Sequence, residues 1–358
     1  MKKVIGILLV VSMLCSCVVV AFAAGGTVNA QNWMSVIDDK TNLADISMPG
    51  THDSAATYVA FGIKARCQDK TIPEQLNCGA RFLDIRLCEE RGKLKLVHNF
   101  INCRKGSGFT APKLYMDDVV GYCLDFLSKN PKESIVLFIK EDFGESDKFD
   151  DLLAKQIEKN SDKWYTENRT PDLGEVRGKL VLMNRFAKEG SKLTDKTGGI
   201  NLSNFMIQLT EFEATETLPI KSFEGGMISS YTYQDRYQYD KKVKWEKCIV
   251  PTLEMEKTEY GILINFFSTA EGWSPEINAK YINAKAKEYD FKSDKCYGFV
   301  LFDFIDEELA AKIYNCNASV INPSYTPTGG APMDVPAPKH GFIKFLDFVW
   351  SFLIEKLS

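Results

Sequence analysis

The sequence predicts an α/β fold with a mainly parallel sheet, most simply a (β/α)8-type barrel. Short apolar segments typical of buried strands alternate along the chain with amphipathic helical patterns. The chain of 358 residues is long enough for one such barrel with additional terminal segments. The candidate strands are residues 43–48, 81–87, 94–98, 134–140, 179–184, 205–209, 261–267 and 297–302.

Residues 116–127 carry the clearest helical pattern. Met116, Val119, Val120 and Cys123 lie at helical spacing, and Pro131 stops the helix before the next strand. Similar patterns cover residues 149–157, 275–289 and 307–314. In barrels of this type the catalytic side chains lie where strands end, so the polar residues at those points are the first candidates.

The chain contains three histidines, and two of them stand at the ends of predicted strands. His52 follows a Pro-Gly turn and is followed by Asp53, whereas His98 ends an alternating segment. Imidazole is the side chain that exchanges protons near neutral pH, and burying it without partners is costly. We therefore interpret His52 and His98 as catalytic residues.

Other polar residues stand at or near the ends of the predicted strands: Asp84, Arg86, Lys140, Arg185, Asp235, Tyr237 and Asp303. Each alone is commonly a cap or a surface charge, but their repetition indicates a site. Two histidines, carboxylates that orient them and an arginine are the groups needed for phosphoryl transfer by acid–base catalysis. One imidazole takes a hydroxyl proton, the guanidinium binds the phosphate, and the other imidazole protonates the leaving oxygen.

The absence of several catalytic sequence motifs and the overall charge exclude further classes of function. The sequence contains no H-E-x-x-H, Walker loop, G-x-S-x-G or G-x-G-x-x-G pattern. Its formal charge of −4 provides no basic field for a polyanion, which argues against nucleic acid as a partner. We expect metal-independent chemistry, no cofactor and no obligate protein partner.

Several segments resemble the bacterial phosphatidylinositol-specific phospholipases C: residues 42–54, 79–86, 96–98, 134–140 and 178–185. The resemblance covers roughly residues 32–316, and the Pro-Gly-Thr-His-Asp-Ser and Asp-Ile-Arg sequences are its most specific part. It implies a distorted TIM barrel as a single catalytic domain. It also implies cleavage of phosphatidylinositol to diacylglycerol and inositol 1,2-cyclic phosphate, with glycosylated inositol lipid anchors as a further substrate class.

The resemblance also implies roles for the catalytic candidates. His52 is similar in position to the general base that deprotonates the inositol 2-hydroxyl, with Asp303 orienting it. His98 corresponds to the general acid for the diacylglycerol oxygen, assisted by Asp53. Arg86 corresponds to the residue that binds the phosphate.

Further site residues follow from the same resemblance. Asp84 is expected in the hydrogen-bonded group around the arginine. Lys140, Arg185 and Asp235 would bind the inositol hydroxyls, and Tyr237 would stack on the ring. Residues 186–234 match the family weakly, so Asp235 and Tyr237 rest on fewer matching positions.

The resemblance also indicates whether the enzyme requires a metal ion. Related eukaryotic-type phospholipases hold calcium with acidic residues where this chain has Arg86. A fixed guanidinium can supply the same positive charge, so no metal requirement is expected.

Residues 1–24 resemble a secretory signal peptide, with Lys2 and Lys3, an apolar run and small residues before the expected cleavage site. An uncleaved anchor and lipidation at Cys17 are the alternatives. Secretion would place eight remaining cysteines in an oxidising compartment. Bridges are expected between Cys67 and Cys78 and between Cys88 and Cys103, with buried free thiols as the alternative.

The composition changes after the predicted barrel. Residues 317–341 form a Pro/Gly-rich linker, and residues 342–358 form an amphipathic helical pattern that is short and charged for a membrane span. As an interfacial helix it would hold a secreted protein peripherally on a membrane. Docking on the barrel and self-association are the alternatives. Tyr58, Phe61 and Ile63 offer a second membrane contact, or ordinary packing.

The leading hypothesis is therefore a secreted phosphatidylinositol-cleaving lyase that acts on membrane surfaces. One alternative is a glycerophosphodiester phosphodiesterase on a similar barrel, which would need a metal and so be sensitive to chelators. The other is a non-catalytic module that binds inositol lipids.

Overall fold

A computed structural model describes residues 28–324, except 61, 109, 207–214, 258–260 and 273. The predicted signal peptide, the helix at 342–358 and most of the linker at 317–341 lie outside the described residues, as does Phe61. Among the described residues, no helix combines the length and the apolar composition that crossing a membrane requires.

A single sheet connects all the strands of the described residues. The strands are β1 (Met48–Thr51), β2 (Phe82–Glu90), β3 (Lys93–His98), β4 (Ile101–Asn102), β5 (Ile135–Glu141), β6 (Trp164–Tyr165), β7 (Leu180–Asn184), β8 (Ile200–Asn201), β9 (Glu216–Lys221), β10 (Met227–Gln234), β11 (Ile262–Phe266) and β12 (Phe299–Phe302).

Seven strands run parallel in the order β7-β5-β2-β1-β12-β11-β10. The two-residue strands β6 and β8 both pair in parallel with β7, one after the other along it, and together take the place of an eighth strand. At the other edge β9 pairs antiparallel with β10. The predicted α/β class with a mainly parallel sheet is confirmed.

The two edges of the sheet approach each other at β8 and β9. In the described part of the chain no strand pairing joins these two strands. Instead, the side-chain amides of Asn168 and Asn201 both donate to the backbone oxygen of Lys221, at 2.9 and 3.0 Å. Side chains therefore bridge the seam where a closed barrel would have a backbone ladder.

Helices follow most of the parallel strands. They are α1 (Gly62–Ala65), α2 (Ile72–Asn77), α3 (Met116–Lys129), α4 (Phe149–Glu158), α5 (Leu173–Val176), α6 (Lys241–Lys244), α7 (Val250–Glu254), α8 (Pro275–Glu288) and α9 (Glu307–Tyr314). A wider helical turn at Trp245–Ile249 joins α6 to α7.

Alternate residues of each strand enter different cores, as the two-residue period of a strand requires. On β2, Leu83 and Ile85 belong to the core shared with α3 and α4, whereas Phe82 belongs to the core inside the sheet. On β12, Phe299 and Leu301 also face the inside, and Val300 and Phe302 pack in a third core with residues of α8 and α9.

The structure matches the predicted strands at 81–87, 134–140, 179–184, 261–267 and 297–302, and all four predicted helices. Residues 43–48 differ: a short 3-10 turn occupies Leu43–Asp45, because the Asn42 side chain accepts a hydrogen bond from Ala44 N. The strand begins only at Met48. In the segment 205–209, the described residues Phe205 and Met206 lie outside any strand.

The strand at 94–98 exists as β3, but it is not a parallel barrel strand. It pairs antiparallel with β2 through a tight turn in which Arg91 and Gly92 both have positive φ, of 54° and 77°. Strands β9 and β10 were not predicted. β10 carries Ser229, Ser230 and Thr232 among its apolar residues, which hides the strand pattern.

The predicted disulfides are wrong, since all eight cysteines of the described residues are free thiols. Cys67 lies beside His98, whereas Cys78 lies near Glu307 at the start of α9, so the two thiols have different surroundings. Cys88 is opposite Lys95 in the β2–β3 ladder, and Cys103 is buried in the core next to α3. Closeness in sequence did not bring either pair together.

Gly50 permits the close approach of β1 and β2. A Cβ at this position would lie 2.7 Å from the backbone oxygen of Phe82 and 2.8 Å from its Cβ. We expect Gly50→Ala to lower the free energy of unfolding by about 1–3 kcal/mol, because a strand ladder must move to relieve the overlap. Thermal and urea unfolding will measure the change.

Gly121→Ala is the matched control. Gly121 lies within α3 and a Cβ there would meet no atom within 4 Å, so the change should leave stability equal or increase it. Equal stability of the two variants would contradict a close-packing role for Gly50.

Candidate active site

The two-residue period of the strands places the candidate side chains inside the sheet. On β2, Asp84 and Arg86 follow the inward-facing Phe82 at two-residue steps, and on β5 Lys140 follows Phe138. Arg86 and Lys140 are neighbours in the parallel register. Asp303 continues the inward series of β12. The carboxyl ends of several strands thus bring their charged residues to one region.

His52 follows β1 and its backbone is fixed on both sides. Its N–H donates to Phe302 O at 3.0 Å, and its carbonyl accepts from the Gln68 side chain at 2.8 Å. The same Gln68 nitrogen donates to Phe302 O at 2.9 Å. Gln68 is fully buried and ties the end of β1 to the end of β12.

The imidazole of His52 bridges a carboxylate and a guanidinium. Its Nδ1 lies 2.7 Å from Asp303 Oδ1, and its Nε2 lies 2.8 Å from the Nη2 of Arg86. Burial is the largest influence on the pKa of His52 and lowers it, as does the charge of Arg86. The charge and hydrogen bond of Asp303, together with the charge of Asp84, outweigh them and raise the pKa above 6.5. The buried Asp303 holds Nδ1, which leaves Nε2 as the nitrogen that faces the site.

Asp53 is turned toward His98 by an unusual backbone conformation. Its φ is 41°, in the left-handed region, and its N–H donates to Asp84 Oδ2 at 3.0 Å. The carboxylate is fully buried, and its Oδ2 lies 2.5 Å from Nδ1 of His98. His98 therefore has the same arrangement as His52, with a buried carboxylate on Nδ1.

Arg86 lies between the two histidine–carboxylate pairs. Its Nε and Nη2 donate to Asp84 Oδ2 at 3.1 and 3.0 Å, and its Nη1 is 3.9 Å from Asp53 Oδ2. Burial alone would raise the pKa of Asp84, but the charges of Arg86, His52 and Arg185 together outweigh it and lower that pKa. Conversely, Asp84 and Asp53 overcome the burial of Arg86 and raise its pKa.

Lys140 and Arg185 stand beside this group. Lys140 forms an ion pair with Asp142, and burial followed by the charge of Arg86 lowers the pKa of Lys140. The Arg185 guanidinium lies over the ring of Phe205, 4.1 Å from its centroid. Its buried Nη1 has no hydrogen-bond partner among the described residues, so it is available to a bound molecule.

Asp235 and Tyr237 follow β10. Asp235 is buried close enough for its charge to act on Arg185: burial lowers the pKa of Arg185, and the charge of Asp235 opposes that shift without reversing it. Tyr237 is half-buried, and its hydroxyl accepts from the Gln238 side chain. Within the described residues its other hydrogen bonds join its carbonyl to Thr269 and Ala270, and not to the histidine–arginine group.

Three residues at this site were not found from the sequence: Gln68, Asp142 and Cys67. Asp142 accepts from the Asn99 backbone at 2.7 Å beside His98 and pairs with Lys140. It directly follows Glu141, at the end of the predicted strand. A charged residue at a strand end is the same signal that marked the other candidate site residues. Gln68 and Cys67 lie in the long loop after β1, where no pattern marks them.

The ligand-type side chains of the described residues form two groups of three, which are His52, Cys67 and Asp303, and Asp53, Cys67 and His98. Within each group the ligand atoms lie within 4.8 Å of one another. Both groups share the thiol of Cys67.

Two histidine–carboxylate pairs on either side of a buried arginine, in a mainly parallel α/β sheet, are an arrangement suited to an enzyme that acts on phosphate esters. Residues 40–166 match the model of the PI-PLC X family. The chain is 30% identical over 266 residues to a 1-phosphatidylinositol phosphodiesterase of Staphylococcus aureus (strain Newman), covering 70% of this chain and 78% of that protein. The chain therefore belongs to the family of phosphatidylinositol-specific phospholipases C.

Further comparisons agree with this assignment. The 1-phosphatidylinositol phosphodiesterase of Listeria monocytogenes is 26% identical over 309 residues, covering 81% of this chain and 86% of that protein. A phosphatidylinositol-specific phospholipase C structure from Staphylococcus aureus superposes with a TM-score of 0.64 at 24% identity, over 80% of this chain and 97% of that chain. The Listeria monocytogenes enzyme gives a TM-score of 0.61 at 24% identity, over 81% and 99%. The fold is that of the bacterial enzymes, which is TIM-barrel-like.

Asp303 is expected to control the protonation of His52. In Asp303→Asn the remaining main influences, burial and Arg86, both lower the pKa of His52, so it should fall below 6.5. NMR titration of the imidazole resonances will measure it. Because the raised pKa stabilises the fold below about pH 6.5 and this contribution fades as pH rises through the folded-state value, the variant should also lose stability mainly at acidic pH.

Asp142→Asn is the matched control, since Asp142 is not among the charges that act on His52. An unchanged His52 pKa in Asp303→Asn would contradict the coupling.

Proposed function

We propose that this protein cleaves phosphatidylinositol to diacylglycerol and inositol 1,2-cyclic phosphate by metal-independent acid–base catalysis. One observation carries the proposal: each of two imidazoles has Nδ1 on a buried carboxylate, and Arg86 lies between them. The chain's place among relatives named 1-phosphatidylinositol phosphodiesterases supports the choice of substrate.

His52 acts as the general base. Asp303 holds the Nδ1 proton, so Nε2 carries the lone pair that takes the proton from the inositol 2-hydroxyl. The 2-oxygen then attacks the phosphorus and closes the cyclic phosphate. Asp303 stabilises the imidazolium formed in this step, as the raised pKa of His52 indicates.

Arg86 binds the phosphate. Asp84 holds the guanidinium through Nε and Nη2, which leaves Nη1, 3.9 Å from Asp53 Oδ2, to bind a phosphate oxygen. A fixed positive charge stabilises the negative charge that builds on the phosphate oxygens in the transition state. The guanidinium supplies the positive charge that a metal ion would supply, so the reaction requires no metal or cofactor.

His98 acts as the general acid. Its Nδ1 is hydrogen-bonded to Asp53, which fixes the orientation of the ring and leaves Nε2 as the nitrogen that donates a proton. The Nε2 proton passes to the glycerol oxygen as the phosphorus–oxygen bond breaks, and diacylglycerol leaves. The two imidazoles thus exchange their protonation states during one turnover.

The inositol ring occupies the interior beside these groups. Lys140, Arg185 and Asp235 bind its hydroxyls, and the unpartnered Nη1 of Arg185 is the donor best placed to do so. Tyr237 stacks on the ring from the loop after β10. Glycosylated inositol lipids carry the same phosphodiester and are proposed as a second substrate class.

Exposed apolar side chains surround this end of the sheet. Phe100, just after His98, is 65% exposed and lies 6.5 Å from the half-exposed Phe143, which follows β5. Ile63, in the loop after β1, is also exposed. We propose that these residues contact the lipid surface and that the protein acts as a secreted, peripheral membrane enzyme. One solved structure of the Staphylococcus aureus enzyme concerns the modulation of its membrane binding.

Both histidines should be required for turnover. We expect His52→Ala and His98→Ala each to slow phosphatidylinositol cleavage by about a hundred- to ten-thousandfold, the usual contribution of a positioned acid or base. Phosphorus NMR of mixed micelles containing EDTA will follow the cyclic phosphate, and His340→Ala is the control for loss of a histidine.

The other outcomes separate the alternative functions. Turnover only after calcium is added would contradict the role of Arg86. Headgroup binding without turnover under either condition, unchanged in the histidine variants, would identify a non-catalytic lipid-binding module.

The aromatic pair should contribute to membrane affinity. We expect Phe100→Ser with Phe143→Ser to weaken binding to phosphatidylinositol-containing vesicles by at least about tenfold, because inserting one Phe side chain is worth about 1.5–3 kcal/mol. Vesicle sedimentation will measure this. Met227→Ser, at the opposite end of β10 and 73% exposed in the parent, is the control. Equal binding by all three proteins would place the membrane contact elsewhere.

A further inference from the structure

The thiol of Cys67 lies within the proposed catalytic group although the proposed reaction does not use it. Its Sγ is 4.0 Å from Nδ1 of His98, and the ligand atoms of Asp53, Cys67 and His98 all lie within 4.8 Å of one another. Cys67 is 1% exposed and Asp53 is fully buried, whereas the His98 side chain is 23% exposed. A small ion therefore reaches this group from the side of His98.

The position of Cys67 is fixed by its backbone. Its N–H donates to Ala56 O at 3.0 Å, in the loop that carries Asp53, and its carbonyl accepts from Phe304 N at 2.9 Å, next to Asp303. The thiol is thus held between the loops that follow β1 and β12. Its place beside His98 follows from these two hydrogen bonds.

Asp53 provides an independent indication of a ligand. Its Oδ2 pairs with His98, but its Oδ1 is buried and has no hydrogen-bond partner among the described residues. A buried carboxylate oxygen without a partner costs free energy, and a bound cation would remove that cost.

We propose that Asp53, Cys67 and His98 form a binding site for a thiophilic divalent cation such as zinc, and that the bound ion inhibits the enzyme. Sulfur, imidazole nitrogen and carboxylate oxygen are the ligand types that zinc prefers, and three protein ligands leave a fourth position for water. Bonds of about 2.0–2.3 Å to a tetrahedral ion place ligand atoms roughly 3–4 Å apart, so small side-chain movements suffice.

The second group, which contains His52 and Asp303, is less suited to a cation. Arg86 lies 2.8 Å from the His52 ring, whereas its nearest distance to Asp53 is 3.9 Å. Charge repulsion from the guanidinium is therefore stronger at His52.

The bound ion inhibits the enzyme because it removes a proton from His98, the proposed general acid. Binding replaces the Nδ1 proton of His98 with the metal, and the thiol proton of Cys67 is released to solvent as the sulfur–metal bond forms. The metal-bound imidazole keeps its Nε2 proton, but it is a weaker acid than imidazolium and no longer protonates the glycerol oxygen effectively. This consequence rests on the proposed function, whereas the binding site itself does not.

The binding test does not depend on activity. We expect titration of the chelator-free protein with Co²⁺ or Cd²⁺ to produce a thiolate-to-metal charge-transfer absorption at one ion per chain. Cys67→Ser should abolish the band. Cys123→Ser is the matched control, because Cys123 is equally buried, within α3, and it should keep the band. No band in the parent protein, or a band that survives in Cys67→Ser, would overturn the proposal.

If Cys67→Ser does not fold, cadmium NMR of the parent protein tests the site instead. A ¹¹³Cd resonance in the range of one thiolate with nitrogen and oxygen ligands supports the site. A resonance in the all-oxygen range would overturn it.

The second test measures whether the bound ion inhibits the enzyme. Zinc should inhibit phosphatidylinositol cleavage and EDTA should restore it. Measured against its own zinc-free rate, Cys67→Ser should need at least about tenfold more zinc for half-inhibition, the loss that even outer-shell partners of metal ligands cause. Inhibition that is equal in the two proteins would overturn the inhibitory role. If the protein cleaves no phosphatidylinositol, the proposed function fails while the absorption titration still decides the site.

Discussion

A single carboxylate oxygen, Oδ2 of Asp84, organises the candidate active site. It accepts two hydrogen bonds from Arg86 and one from the backbone N–H of Asp53. The first two fix the guanidinium, and the third holds the left-handed turn that directs Asp53 to His98. Breaking a buried pair of this kind costs about 3–5 kcal/mol, since it leaves an uncompensated charge in the interior. The proposed phosphate-binding residue and the proposed general acid are therefore positioned by the same atom.

The site has an inner and an outer end. Lys140, Arg185 and Asp235 follow inward-facing strand positions, where a polar ring can replace water, whereas His98 and the exposed Phe100 lie toward the solvent. A phosphodiester bound between them would place its inositol inside and its lipid chains outside. The His52 side chain is 15% exposed and the His98 side chain 23%, which agrees with a base at the inner oxygen and an acid at the outer one.

Much of this was predictable, because strand ends and the two-residue period are local features. His52, His98, Arg86 and Asp303 were found at strand ends, and each lies in the site. Residues whose role depends on distant contacts were not found from the sequence. Gln68 donates a hydrogen bond to Phe302, which is 234 positions away in the chain, and Cys67 contacts His98, which is 31 positions away. Disulfide bonds were wrongly predicted for the two cysteine pairs, because the spacing of two cysteines in the sequence does not reveal where their side chains point. The polar strand β10 was missed because its pattern is weak.

The seam between β8 and β9 separates the two edges of the sheet. Continuous backbone ladders join β5, β2, β1 and β12, the strands that carry or precede most of the candidate catalytic residues. Among the described residues the seam is joined by side chains: the amides of Asn168 and Asn201 donate to Lys221 O, and the carboxylate of Asp195 accepts from Ser222 and Phe223. Arg185 and Asp235 stand after β7 and β10, on either side of it. The backbone pairing of the described strands is thus interrupted between the strands that precede two of the residues proposed to bind the inositol hydroxyls.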